Sequence, residues 1–162
     1  MKKYLLYWLW ILTIYCIFAY HYTKKYGPIV IYSEWLLDTA SVINGLEKWS
    51  AKALALPPPF VGLRRKNHEM NDTWIRHEQI HHLQQSETLF LSVIVGQMEK
   101  LYAKHILNKP TMEAYLREST EQEAYLNQTD PTYIQQRKIF STRKYIKNKV
   151  DFELVDYQVV YR

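Results

Sequence analysis

From Tyr4 to Tyr20 the hydrophobic pattern is almost unbroken, with Lys2-Lys3 ahead of the run and Lys24-Lys25 behind it. The run is 17 residues long, and a helix needs roughly 17–25 to cross a bilayer. Tyr4, Tyr7, Trp8, Trp10, Tyr20 and Tyr22 crowd toward its ends, where aromatic rings anchor at the membrane–water interface. A cleaved signal would end in a small-x-small site, but Ala19 is followed by Tyr20-His21-Tyr22, and a bulky Tyr15 precedes Cys16. The pattern predicts an uncleaved, single-pass transmembrane anchor over residues 1–25. The basic flanks match in number, so the side of the membrane is not set.

Beyond Gly27-Pro28 the periodicity shortens and breaks. Ser33-Glu34 starts a predicted helix with Trp35, Leu36, Ile43, Leu46 and Trp49 at roughly helical spacing. Pro57-Pro58-Pro59 fixes an extended segment, and Phe60 to Leu63 continues it as a short strand. That strand offers either an edge for an extended peptide or a plain connection, the second being the simpler reading. Asn71-Asp72-Thr73 supplies N-cap residues, so a helix is expected from Trp74. Leu89 to Val95 is too short to span a membrane and predicts a buried helix, with Ile94, Met98, Leu101 and His105 on one face. Asn108-Lys109-Pro110 stops it. One further helix is expected from about Met112 to Leu126, and another after Asp130-Pro131 toward Ile146. From Val150 the chain alternates through Phe152, Leu154, Tyr157, Val159 and Tyr161, as a closing strand would. The fold class is therefore mainly α (α+β): a membrane helix, then one small domain over residues 26–162 with a few short strands.

Composition adds little to that picture. A chain of 162 residues supports one domain and an appendage. The net charge of +5 permits attraction to nucleic acid or anionic lipid. The one long basic tract, Arg137, Lys138, Arg143, Lys144, Lys147 and Lys149, reads as a solvated helix face, and no nucleic-acid partner is expected. Cys16 is the single cysteine, which excludes an internal disulfide.

The candidate chemistry lies in Trp74 to Gln85, which contains His77-Glu78-x-x-His81. Residues four apart share a helix face, so the two imidazoles can converge on one ion. Glu78 follows the first histidine directly, where a carboxylate can take a proton from a water on that ion. A catalytic zinc takes three protein ligands, so a third belongs on another helix. Glu118, Glu121 and Glu123 all lie on the next polar helical stretch. Glu123 sits about 200° round from Glu121 and reads as a solvated carboxylate. His82 points about 100° away from His81 and reads as a packing or surface residue, and His68 and His105 as structural.

His77-Glu78-x-x-His81 followed by Glu121-x-Glu123-Ala124 resembles the gluzincin metallopeptidases, especially small membrane-associated ones. The resemblance covers about Phe60 to Arg137, and His82 with Gln84-Gln85 is similar to small H-E-x-x-H-x-x-Q proteins of that group. It implies a zincin-like domain that cleaves peptide or protein substrates through a zinc-activated water, with Glu78 as general base and acid. His77, His81 and Glu121 take the ligand positions, Glu118 being the fallback third ligand. Tyr125 takes the place of an Asp that commonly steadies a ligand histidine. Tyr125, Tyr133 and Arg137 are candidates for the donor that stabilises an oxyanion. The other reading is a catalytically inactive, membrane-tethered helical binding module on the same scaffold.

Overall fold

A computed structural model describes residues 2–43, 53–63 and 72–147. His68, the Asn71 cap, Leu46 and Trp49, Lys149 and the alternation beyond Val150 lie outside those residues. The chain runs α1 (Lys2–Tyr26), β1 (Ile29–Tyr32), α2 (Glu34–Ile43), β2 (Ala53–Ala55), β3 (Phe60–Leu63), α3 (Asp72–Glu87) and α4 (Leu91–His105). Four shorter helices follow: α5 (Thr111–Leu116), α6 (Ser119–Asn127), α7 (Tyr133–Gln136) and α8 (Arg143–Lys147). The domain is mostly helical with few short strands, as the sequence pattern predicts.

The apolar run forms the long helix α1, which is long and apolar enough to cross a membrane. Gly27 ends it in the left-handed region at φ 78°, where its N–H reaches back to the Thr23 carbonyl at 3.0 Å. The second half of α1 is not a free tether. Cys16, Ala19 and Thr23 are buried, Gln79 of α3 donates to the Thr23 carbonyl at 2.8 Å, and Tyr15 donates to the Pro58 carbonyl.

Next, Ser33 caps α2 by accepting the Leu36 N–H at 3.3 Å. The preceding Ile29–Tyr32 is a strand that the sequence reading lacks. It pairs parallel with β3, while β2 pairs antiparallel on β3's other side, giving the order β1-β3-β2. The Phe60–Leu63 strand is thus central, with both edges occupied, and among the described residues the edge that faces α3 belongs to β2.

Among the described residues, Ile80, Leu83, Ala124 and Ile134 form a buried apolar cluster, with Tyr20 and Tyr133 against them. α6 is the innermost helix, buried from Ser119 through Ala124. The expected single helix from Met112 to Leu126 is two. The chain extends at Glu118 (ψ 128°), and the Glu99 carboxylate of α4 accepts the Ser119 N–H at 2.6 Å, capping α6 from a neighbouring helix. The helix expected after Pro131 also splits, because Arg137 turns extended (ψ 126°) as its side chain enters the interior.

α4 departs furthest from expectation. Its buried residues are Ser92, Gly96, Lys100 and Ala103. Ile94, Met98, Leu101 and His105, the face expected to be buried, point outward. Gly96 lets α4 approach closely: a Cβ there would lie 2.7 Å from Glu118 Oε2, and the carboxylate would have to move aside. The α3–α4 turn passes through Leu89 and Phe90 in the left-handed region (φ 51° and 67°), a conformation that non-glycine residues seldom adopt.

Candidate metal centre

α3 and α6 cross in the interior, and their polar faces meet. Four residues apart on α3, His77 and His81 bring their Nε2 atoms to 3.1 Å from each other. Glu121, in the first turn of α6, lies between them, Oε2 at 3.3 Å from His77 Nε2 and Oε1 at 3.2 Å from His81 Nε2. One donor atom from each of the three falls within 4.8 Å of the others. The sequence-predicted triad is thus assembled, two imidazoles and one carboxylate.

Both imidazoles are held from behind. Gln84 Oε1 sits 2.8 Å from His81 Nδ1, and Gln128 Oε1 sits 3.1 Å from His77 Nδ1. A side-chain carbonyl only accepts, so each Nδ1 carries a proton and each Nε2 is left facing the centre, open to a proton or to a metal ion. Arg76 also donates to the Gln128 carbonyl, tying the end of α6 to α3. Tyr125 packs its ring edgewise on His77, with centroids 4.5 Å apart. The contact is one of rings, not the hydrogen bond that an Asp at that position commonly makes.

Electrostatics point the same way. Glu121 is buried, yet the two histidines hold its carboxyl well below the usual range. Burial opposes charge on His81, but Glu121's carboxylate and its hydrogen bond push the imidazole up to about 10. The centre thus draws in positive charge. Glu121 Oε2 is also buried with no hydrogen bond aimed at it, despite its closeness to His77. Convergent Nε2 lone pairs and an orphaned carboxylate oxygen are the donor set of a borderline cation such as zinc, and the residues fit one.

No family model, curated protein or solved structure matches this chain. What the centre can do must therefore be read from its own atoms.

Glu78 is buried beside the triad, its carboxyl raised by desolvation, and it accepts a backbone hydrogen bond from Ala55 of β2. It lines an open cleft of about 230 Å³ with His81, Glu121, Ser92, Gln97 and Tyr115. Tyr115 is the residue that sequence reasoning missed. It sits on α5, hydrogen-bonds Glu121, and burial drives its hydroxyl pKa well up. No spacing rule links it to the motif. Gln128 had a faint signal, lying two helical turns beyond Glu121 on the same face.

Other candidates go elsewhere. Glu118 lines the cleft but is not part of the three-donor cluster. Burial, then Glu121, raises its carboxyl to about 8. His82 turns away, its Nε2 2.8 Å from the Phe60 carbonyl of β3, and burial lowers it to about 4. Glu123 is fully buried, not solvated. It accepts Arg137 Nε at 2.7 Å, the Tyr133 hydroxyl at 2.8 Å and the Thr142 hydroxyl. Arg137 also forks onto Glu87 at 2.7 and 2.8 Å. Arg137 is therefore not part of a solvated basic face, and with Tyr133 it is committed to this ion-pair cluster rather than to an oxyanion.

Proposed function

We propose that the chain is a membrane-anchored zinc metallopeptidase. The observation that carries the reading is the convergence of His77, His81 and Glu121 beside the buried carboxylate of Glu78. Those three would hold the ion, and when bound it supplies Lewis acidity. Glu78 holds and moves the proton. Its carboxyl faces the cleft, desolvation raises its affinity for a proton, and the Ala55 N–H fixes its direction. Tyr115 fixes Glu121 and presents the cleft with a hydroxyl. Gln84 and Gln128 are positioning residues for the two rings. The apolar helix α1 supports a single-pass anchor, and polypeptides are the substrate class that the motif favours.

Purified full-length protein in detergent is expected to contain about one zinc per chain and to cleave an unstructured protein such as casein. Glu78→Gln should keep the zinc and lose cleavage by about 10²–10⁴-fold. Absence of zinc in the unmutated chain would overturn the reading. Zinc without cleavage would leave a metal-holding binding module.

A further inference from the structure

α4 is built inside out. Its domain-facing side is Ser92, Gly96, Lys100 and Ala103. Its outward side is Leu91, Ile94, Met98 and Leu101, which are 59%, 57%, 65% and 54% exposed. A helix on a water-soluble domain shows the reverse. α1 repeats the arrangement, with small Cys16, Ala19 and Thr23 inward and Ile14, Ile17 and Phe18 outward. Small residues against protein and large apolar ones outward are how helices pack when the surroundings are lipid.

Depth supports the same surroundings. The part of α1 ahead of its buried contacts, Tyr4 to Ile14, rises about 16 Å at 1.5 Å per residue, roughly half of a hydrocarbon core of about 30 Å. A crossing by α1 must therefore take in Cys16 to Thr23, and α3 is packed against that segment. The domain's flank then sits at membrane depth. From Leu91 to Met98 no charged residue occurs, while Lys104 and His105 follow in the last turn of α4. That order suits a helix lying in the interface with its Leu91 end slightly deeper and Lys104 and His105 among anionic headgroups.

We propose that α4 is a second lipid-contacting element, with Leu91, Ile94, Met98 and Leu101 in the bilayer surface. It is too short to cross, so it lies along the membrane. Ser92, Val93 and Gln97 of α4 line the cleft that holds Glu78 and His81. The cleft therefore opens at membrane level, and its substrates are polypeptide segments held in or against the bilayer. This rests on the membrane-anchored reading above.

The test uses the full chain in vesicles of phosphatidylcholine and phosphatidylglycerol. Nitroxide labels are placed singly at Ile11→Cys, Ile94→Cys, Met98→Cys and Lys104→Cys, in both Cys16→Ala and Cys16→Ser backgrounds. Collision with oxygen, which concentrates in lipid, is compared with collision with a water-soluble nickel chelate. Labels at positions 11, 94 and 98 are expected to be oxygen-rich and nickel-poor, and the label at 104 the opposite. Nickel access at 94 and 98 with lipid contact at 11 would overturn the α4 proposal and leave the anchor standing. Nickel access at 11 would overturn the anchor itself, and α4 with it. Exclusion of both reagents at 94 and 98, with spin–spin broadening, would put a second copy on this face and overturn the proposal. Neither zinc nor cleavage enters the measurement.

Discussion

Toward one end of the α3–α6 contact, Arg137 is enclosed by Glu87 and Glu123; toward the other, His77 and His81 flank Glu121. With both imidazoles neutral, as ligation to a cation would require, each cluster carries one more negative charge than positive. In the Arg137 cluster the protein absorbs that excess. Gln84, Tyr133 and Thr142 donate to Glu123, and the Phe140 N–H donates to Glu87 at 3.0 Å. In the histidine cluster Glu121 Oε2 is left without a directed donor. Burial of charge is tolerated when every lone pair is matched, so the first cluster is complete in itself. The second calls for a cation. Equal burial on the same two helices thus yields a structural brace in one place and a cluster able to hold a metal in the other.

The sharpest way to break this contrast is to open the brace. Arg137→Ala leaves Glu87 and Glu123 buried against each other, and should cost about 3–5 kcal/mol in denaturant unfolding of the detergent-solubilised chain. A loss below about 1 kcal/mol would mean that the cluster is wet and the two regions do not differ. Zinc should act only on the other side. At free zinc about a hundred times its dissociation constant, the unmutated chain should gain about 2.7 kcal/mol, reversed by a chelator. His77→Ala, His81→Ala and Glu121→Gln should lose that gain while Glu118→Gln keeps it; a Glu121→Gln variant that still responds would place the third ligand elsewhere. The smallest effect sits at the joint between the clusters. Gln84 accepts from His81 and donates to Glu123 at 2.9 Å, so Gln84→Leu should weaken zinc binding about 10–100-fold by titration against a competing chelator. Unchanged affinity would show that the His81 ring needs no support from behind.

Local geometry made part of this legible in the sequence. The spacing of His77 and His81 needs only the pitch of one helix to become a shared face, and the charge-free run of α1 needs only its length. Glu121 was reachable through family resemblance, since nothing local ties it to α3. A helical wheel also puts Glu123 on the opposite side from Glu121, and the structure agrees. What the wheel cannot tell is that Arg137, a residue from the next helical stretch, fills that side. Tyr115 was hidden for the same reason, being delivered by α5 across a break at Glu118. α4 failed differently. Hydropathy records that Ile94, Met98 and Leu101 avoid water, but it does not say whether protein or lipid receives them.

The placement of α1 bears on how the molecule comes into being. Thr23 is held by Gln79, and Lys24 donates to the Arg137 carbonyl at 3.2 Å. Among the described residues the helix precedes in the chain the partners it packs against, so those partners assemble upon an element already made. Cutting away the helix to obtain a tidier fragment would remove a wall from the domain.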